Sequence, residues 1–422
     1  MSRRSIPARA TLSALALAAL VVSGPAVDAG SIQPYARTSI VTLSSGITWE
    51  KGTARTSHGI QAIQIARIDV HDPSVRIRAL LSNDRVVGVE RPSENADRQS
   101  APGGLAMVAT NGDVSNVGET GAGAAPPTMH VDKGELMVGQ ICGRPTLGLM
   151  DDGTARIGFV KSNLTLDVTS AYPGWRGLIY VHDLNRATSA GSVAIFTDRF
   201  GPTTLTKTPG WSIELDPDST VGPNGRVGAT VVSISRGVNN TDIPRGHIIV
   251  TGSGTRAEPL HALRIGDRVA IQTDIQAADD ANRCGPGSQI SGWDNLVEAQ
   301  GGNYFTVRNG RNVAPTFDQY PKGGVTAPRT NVGITADGDI LMVVVDGRQG
   351  GYSIGMNLIE MGDLMLSLGA VAAFNLDGGG STIMAVRQPG AAHITVSDRP
   401  SDGRERSLTQ ALAVFSIETP TN

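Results

Sequence analysis

Aromatic residues make up only 4% of this chain, and it has two cysteines and seven histidines. Each scarcity excludes something. The histidines are scattered, so no Ser-His-Asp arrangement can be assembled from neighbouring motifs. There is no zinc-protease His-Glu-x-x-His pattern, and Gly379-Gly380-Ser381 lacks the frame of a nucleophile elbow. No lysine follows the triple glycine, which rules out a phosphate loop of the Walker type. No long basic run exists, and the formal net charge is −3, which argues against a nucleic-acid partner. Beyond the N-terminus no apolar run is long enough for a membrane-spanning helix.

The N-terminus reads as a targeting segment. Arg3, Arg4 and Arg9 precede the apolar run Leu12 to Val22, and small residues lead to a cleavage point after Ala29. This is the pattern of a secretory signal, residues 1–29, and it predicts a secreted, extracellular protein with no membrane attachment after cleavage. The apolar core is short for a bilayer span; an uncleaved anchor is the competing reading. In an exported chain the pair Cys142 and Cys284 is a disulfide candidate, against the alternative of two buried thiols.

What the chain has in quantity is glycine, 52 residues, which suits many tight turns between short strands. Residues 30–60 form a lead-in to a domain at 61–418. Gln61 to Val70 alternates as a strand does, and Pro92 to Gln99 reads as a short helix with Ser93 as its cap. Residues 114–290 form a divergent β-rich inserted segment or subdomain. It holds a hairpin about Asp151-Asp152-Gly153 and an exposed loop over 201–225. Residues 291–418 carry the motifs. Two further hairpins turn at Asn309-Gly310 and Asp337-Gly338. Apolar spacing predicts a helix over 353–368, capped by Ser353 and ended by Gly369, which returns to the strand Ala370 to Phe374. If the flanking strands are parallel, this is a crossover. The fold class is α+β: a strand-rich mixed sheet with few helices and glycine-rich turns.

Five polar clusters fall at predicted strand ends: Asn111-Gly112-Asp113, Pro328-Arg329-Thr330, Asp346-Gly347-Arg348, Asn375 to Ser381, and Asp402 to Arg406. A rigid sheet can gather such ends into one site. Singly, each is an ordinary surface turn. Together they combine arginines, whose fork of donors suits phosphate or carboxylate, with aspartates able to act as acid, base or nucleophile. Asn side chains and free backbone amides suit sugar hydroxyls. The set fits an anionic sugar derivative. No metal site is assigned. Acidic turns such as Asp337-Gly338-Asp339 lack the full ligand loop for calcium, which stays a minor candidate.

These clusters, in this order, resemble the phosphodiester glycosidase family. The carrying residues are Ala109 to Asp113, Ala327 to Gly333, Val343 to Arg348 and Phe374 to Thr382, with Arg404-Glu405-Arg406 matching a late Arg-containing segment. The resemblance implies hydrolysis of the glycosidic C–O bond of a sugar-1-phosphodiester, such as an N-acetylglucosamine-1-phosphodiester, and a link to exopolysaccharide. It implies catalytic roles for Asp346, Asp377 and Asp113. Substrate binding falls to Asn111, Arg329, Thr330, Arg348, Asn375, Gly378, Gly379, Gly380, Ser381 and Arg404. The partner is then a glycosyl phosphodiester or a cell-surface polysaccharide, with no cofactor. The family commonly has Asn-Gly-Gly followed by aromatics; Asp113-Val114-Ser115 stands here instead, which bears on substrate choice. Two alternatives stand beside this reading: a non-catalytic cell-wall or exopolysaccharide-binding protein of the same fold, and a hydrolase directing water at phosphorus.

Overall fold

The computed structural model describes residues 32–117, 124–168, 177–186, 190–316 and 318–417. The segment expected to be a secretory signal, residues 1–29, lies outside these. Among the described residues the chain is strand-rich with few helices.

The C-terminal motif region is built on Ile340–Val345, an unbroken run of Ile, Leu, Met and Val that is buried throughout. A strand covered on both faces needs no polar alternation. Met342 and Val344 point to one side, packing with Val332, Phe374, Val108, Leu412 and Val414. Val343 and Val345 point to the other, against Met361, Leu364 and Met365 of the helix Leu358–Ser367. The strand belongs to an eight-stranded sheet, which faces a five-stranded sheet containing Gly104–Asn111 and Gln410–Ile417. The outer face of that second sheet is covered by the helix Pro92–Gln99. The motif region is thus four layers deep: helix, sheet, sheet, helix.

Strand order explains why distant residues meet. Ile340–Val345 and Ala370–Asn375 both pair antiparallel with Arg329–Thr335, which lies between them. They therefore run the same way, joined by the crossover helix, and both finish where Arg329–Thr335 starts. Asp346, Asp377 and Arg329 consequently share one edge of the sheet.

Residues 130–301 contribute a third and larger sheet, from His130–Asp132 to Leu296–Gly301, whose core includes Leu164, Ile213, Leu215, Val250 and Trp293. Its two ends approach each other. The Gly139 N–H donates to Leu184 O at 3.3 Å, and Asn185 Nδ2 donates to Met137 O at 2.8 Å, bringing the sheet close to a barrel.

The three predicted hairpins are present, at Leu149–Ala155, about Asn309-Gly310 and about Asp337-Gly338. Three local expectations differ. The helix Pro92–Gln99 has no side-chain cap; Pro92 opens it, and the Ser93 hydroxyl instead donates to Glu405 at 2.6 Å. The later helix starts at Leu358, where Asn357 and Glu360 form a capping box, because the Ser353 hydroxyl is taken by Asp346 O at 2.6 Å. Within 201–225 lies the strand Gly210–Pro217, whose alternating Ile213 and Leu215 are fully buried.

Cys142 and Cys284 are disulfide-bonded across 142 residues of sequence. Chain entropy gives such a closure about 5 kcal/mol. Reduction should therefore lower the thermal midpoint of the oxidised protein by several degrees, read by calorimetry with and without a thiol reductant, while Cys142→Ser with Cys284→Ser should be insensitive to reductant.

Candidate functional site

The seam between the two packed sheets sets the site. Asn111 ends its strand in the five-stranded sheet and is completely buried. Its Oδ1 accepts from the Thr330 hydroxyl at 2.7 Å and from the Ile383 N–H at 3.2 Å. Its Nδ2 donates to Gly112 O at 2.8 Å and to Asp377 O at 3.0 Å. Every hydrogen-bonding position on this amide is filled by protein. Asn111 and Thr330 therefore fasten the two sheets and hold the Asp377 backbone, and the Asn111 amide has no capacity left for a substrate.

Beyond the fastening, Gly378 to Gly380 turn through a space walled by arginines. A side chain at Gly379 would come within 2.8 Å of Arg348 Nη2, one at Gly380 would overlap the Arg406 guanidinium, and one at Gly378 would lie 3.8 Å from Arg329 Nη1. Glycine here serves close approach, and at Gly379 also a φ of +66°. Arg329 is buried, and carbonyls hold it: Nε donates to Met356 O at 2.9 Å and Nη2 to Val325 O at 2.5 Å. Burial pulls its guanidinium down to about 10, so it stays charged at neutral pH. Arg348 takes a left-handed backbone, φ +60°, and Arg406 pairs with Asp402 at 2.5 Å. Arg404 is exposed and makes no hydrogen bond or ion pair among the described residues; the neighbouring Arg406 is the one that reaches the turn.

One carboxyl, Asp377, faces this cationic wall, and a second, Asp113, lies near it. Asp377 accepts from the Gly378 N–H at 2.8 Å. Burial raises its carboxyl, against the Ser381 hydroxyl, the Gly378 N–H and the charges of Arg406 and Arg329. Asp113 is fully buried, and burial pushes it up to about 7, with Asp377 adding to the rise and Arg144 opposing it. Neither Asp113 oxygen has a hydrogen-bond partner, although the Val114 N–H and the Thr128 hydroxyl are near enough to favour its anion. Asn375 Oδ1 and Thr382 Oγ1 are likewise buried without partners. Buried polar atoms are ordinarily hydrogen-bonded, so these are candidates to meet a ligand.

Sequence reasoning passed over the aromatic wall. Tyr304 stacks on Tyr320 with ring centroids 4.4 Å apart. Tyr320 is close enough to Arg329, Asp377 and Asp113 to be influenced by all three. No motif marks it. The only signal was its place next to a proline and glycines, Tyr320-Pro321-Lys322-Gly323, in a chain with six tyrosines.

Asp346 stands apart. Its carboxyl turns into a separate cavity of about 240 Å³ with Lys51, Tyr352, Asp398 and Arg399. It accepts from the Tyr352 hydroxyl at 2.7 Å and from the Arg399 N–H at 3.2 Å. Burial pushes the neighbouring Asp398 up to about 8, with Asp346 contributing. The strand end at Asp346 thus delivers Arg348 to the glycine turn while its own carboxylate faces elsewhere. No group of three or more His, Cys, Asp or Glu is arranged to hold a metal ion among the described residues. The Asp337-Gly338 turn is a hairpin loop whose Asp337 carbonyl contacts His71.

The Asp113 carboxyl has a consequence for stability. Because it titrates higher folded than unfolded, the folded state holds a proton that the unfolded state has lost. Stability then falls as pH rises from about 4 to about 7. Asp113→Asn removes this cost, which has an upper limit of roughly 4 kcal/mol. The variant should be more stable than wild type at pH 8, and the difference should vanish by pH 4, in denaturant melts at the two pH values.

The family model described as phosphodiester glycosidase matches residues 220–415. A curated relative, the SPbeta prophage-derived uncharacterized protein YomE of Bacillus subtilis (strain 168), is 38% identical over 90 residues, which are 21% of this chain and 13% of that protein. A hypothetical protein from Synechocystis has a similar fold, with a TM-score of 0.68 at 20% identity, over 91% of this chain and 64% of its own. A putative exported protein from Burkholderia pseudomallei K96243 superposes with a TM-score of 0.63 at 22% identity, over 86% of this chain and 77% of its own. This chain thus spans a small part of the curated relative and just under two thirds of the first structure. Residues 220–415, which carry four of the five polar clusters, are thus similar in sequence to the phosphodiester glycosidase family.

Proposed function

We propose that the protein is a secreted hydrolase that cleaves the glycosidic C–O bond of a sugar-1-phosphodiester, resembling an N-acetylglucosamine-1-phosphodiester. The observation that carries this reading is Asp377 set between Arg329 and Arg406 at a bare glycine turn that Arg348 also approaches, with Asp113 near enough to act on Asp377. Phosphate is already a good leaving group, so the chief need is to stabilise its charge. The arginines supply that. The scissile bond joins the anomeric carbon to the phosphate oxygen. As it breaks, water adds its oxygen to the anomeric carbon and gives up a proton, and a phosphomonoester departs with the bonding pair.

The two carboxyls divide the work by environment. Asp377 lies against arginines and the Gly378 N–H, which favour its anion; it is the base or nucleophile toward the anomeric carbon. Asp113, raised to about 7, holds a proton near neutral pH and can exchange it with water or a sugar hydroxyl. The unpartnered Asn375 Oδ1 receives a hydroxyl, and Tyr320 offers a face to the sugar ring. Asp346 orders the loop that presents Arg348. The disulfide and the signal-like N-terminus support export.

The test is hydrolysis of methyl N-acetylglucosamine-1-phosphate. Asp377→Asn should lower kcat by at least about 100-fold, and the exposed Arg406→Ala by about tenfold or more. In oxygen-18 water, label should enter the sugar. Label in the phosphate would mean attack at phosphorus. Equal, negligible turnover by wild type and both variants, with retained glycan binding, would make the protein a binder.

A further inference from the structure

A cavity of about 410 Å³ adjoins the reaction pocket, with Phe159, Asn303, Tyr304, Phe305, Arg283 and Arg308 in its walls. That volume is in the range of small-molecule sites, roughly 300–1,000 Å³. Two contacts place it beside the site. Tyr304, one of its walls, stacks on Tyr320. Asn303, another wall, donates its backbone N–H to Asn375 O at 2.9 Å, two residues before Asp377.

Its charge is unbalanced. Arg308 lies over the Phe305 ring at 5.2 Å, and Asp280 pairs with it at 2.5 Å. Arg283 lies over the Phe159 ring at 5.4 Å and has no carboxylate partner among the described residues. Arg144 reaches the neutral Asn303 Oδ1 at 3.0 Å. The Cys142–Cys284 disulfide stands beside Arg144 and Arg283, and the Gly143 N–H donates to Arg283 O at 2.7 Å. The cross-link thereby fixes two guanidinium-bearing segments side by side. Stacking on a ring holds an arginine flat while leaving its donors open in plane, which suits a planar or tetrahedral anion.

We propose that this cavity is a second anion subsite, which takes a negatively charged group of the substrate beyond the scissile phosphodiester. Building on the function proposed above, the substrate is then a segment of an acidic glycan chain and not an isolated diester. The aromatic walls take the faces of the sugar between the two charges, and Arg283 takes the second charge. A phosphate and a uronate carboxylate share the required chemistry.

Three synthetic N-acetylglucosamine-1-phosphodiesters separate the cases, with methyl, phosphoglyceryl and glucuronyl groups on the far side of the phosphate. Wild type should show a KM at least about tenfold lower for one or both charged diesters than for the methyl diester. Whichever gains identifies the anion. Arg283→Ala should remove that gain and leave the methyl diester unchanged; Arg283 is exposed, so the fold should survive the substitution. Equal KM values for all three diesters in wild type, or an equal shift for all three in the variant, would overturn the subsite. If no diester is hydrolysed, the glycosidase reading fails. Calorimetric binding of the phosphoglyceryl diester then decides the subsite alone: binding about tenfold weaker to Arg283→Ala supports it, and equal binding to both proteins refutes it.

Discussion

One buried amide holds the arrangement together. Asn111 sits where the edges of two sheets meet and uses both ends of its side chain across the gap. An unpaired amide at that depth would cost on the order of 1–3 kcal/mol, so the sheets are held to the one register that satisfies it. Asp377 hangs from the same fastening: its carbonyl accepts from Asn111, and its N–H donates to Gly112 O at 3.1 Å. The turn that follows inherits its position from there, and the arginines gather around the turn.

The turn in its place concentrates opposing demands. Three glycines remove side-chain volume so that guanidinium groups can come near the backbone. Burial lifts the aspartates while the arginines press one of them down. These tensions are tolerable because the supporting layers are apolar on both faces, and Ile340–Val345 ends directly beneath them. A strand that rigid can bear a strained, charged edge without deforming.

Features governed by neighbours in sequence were legible in advance. Asn309-Gly310 and Asp337-Gly338 specify tight turns by their own backbone preferences, and the hairpins follow. The helix beneath the sheet was legible from its apolar spacing, but its start was not. Ser353 is as good a cap as Asn357 until a carbonyl seven residues earlier takes its hydroxyl. The strand Gly210–Pro217 was hidden by surrounding Pro, Gly and Thr, although Ile213 and Leu215 alternate within it. At the site, the strand ends were legible and the directions of the side chains beyond them were not. Asp346 and Asp377 look alike in sequence, each closing an apolar strand. One turns toward Lys51 and Tyr352 and the other toward the arginines, and only the path of the following loop decides which. Arg406 and Arg404 differ by two positions in an irregular segment, where no periodicity says which one points inward. Tyr304 and Tyr320 approach from separate segments and carry no mark of their meeting.

Arg348 adopts a conformation that costs a non-glycine residue on the order of 1–3 kcal/mol. Directed evolution under thermal challenge alone should therefore find Gly or Asn at this position early, and gain durability from it. The same exchange would strip a cation from the glycine turn. Ranking variants by melting temperature would select against a cation assigned above to the proposed phosphate site, so a screen of this scaffold has to score turnover alongside heat resistance.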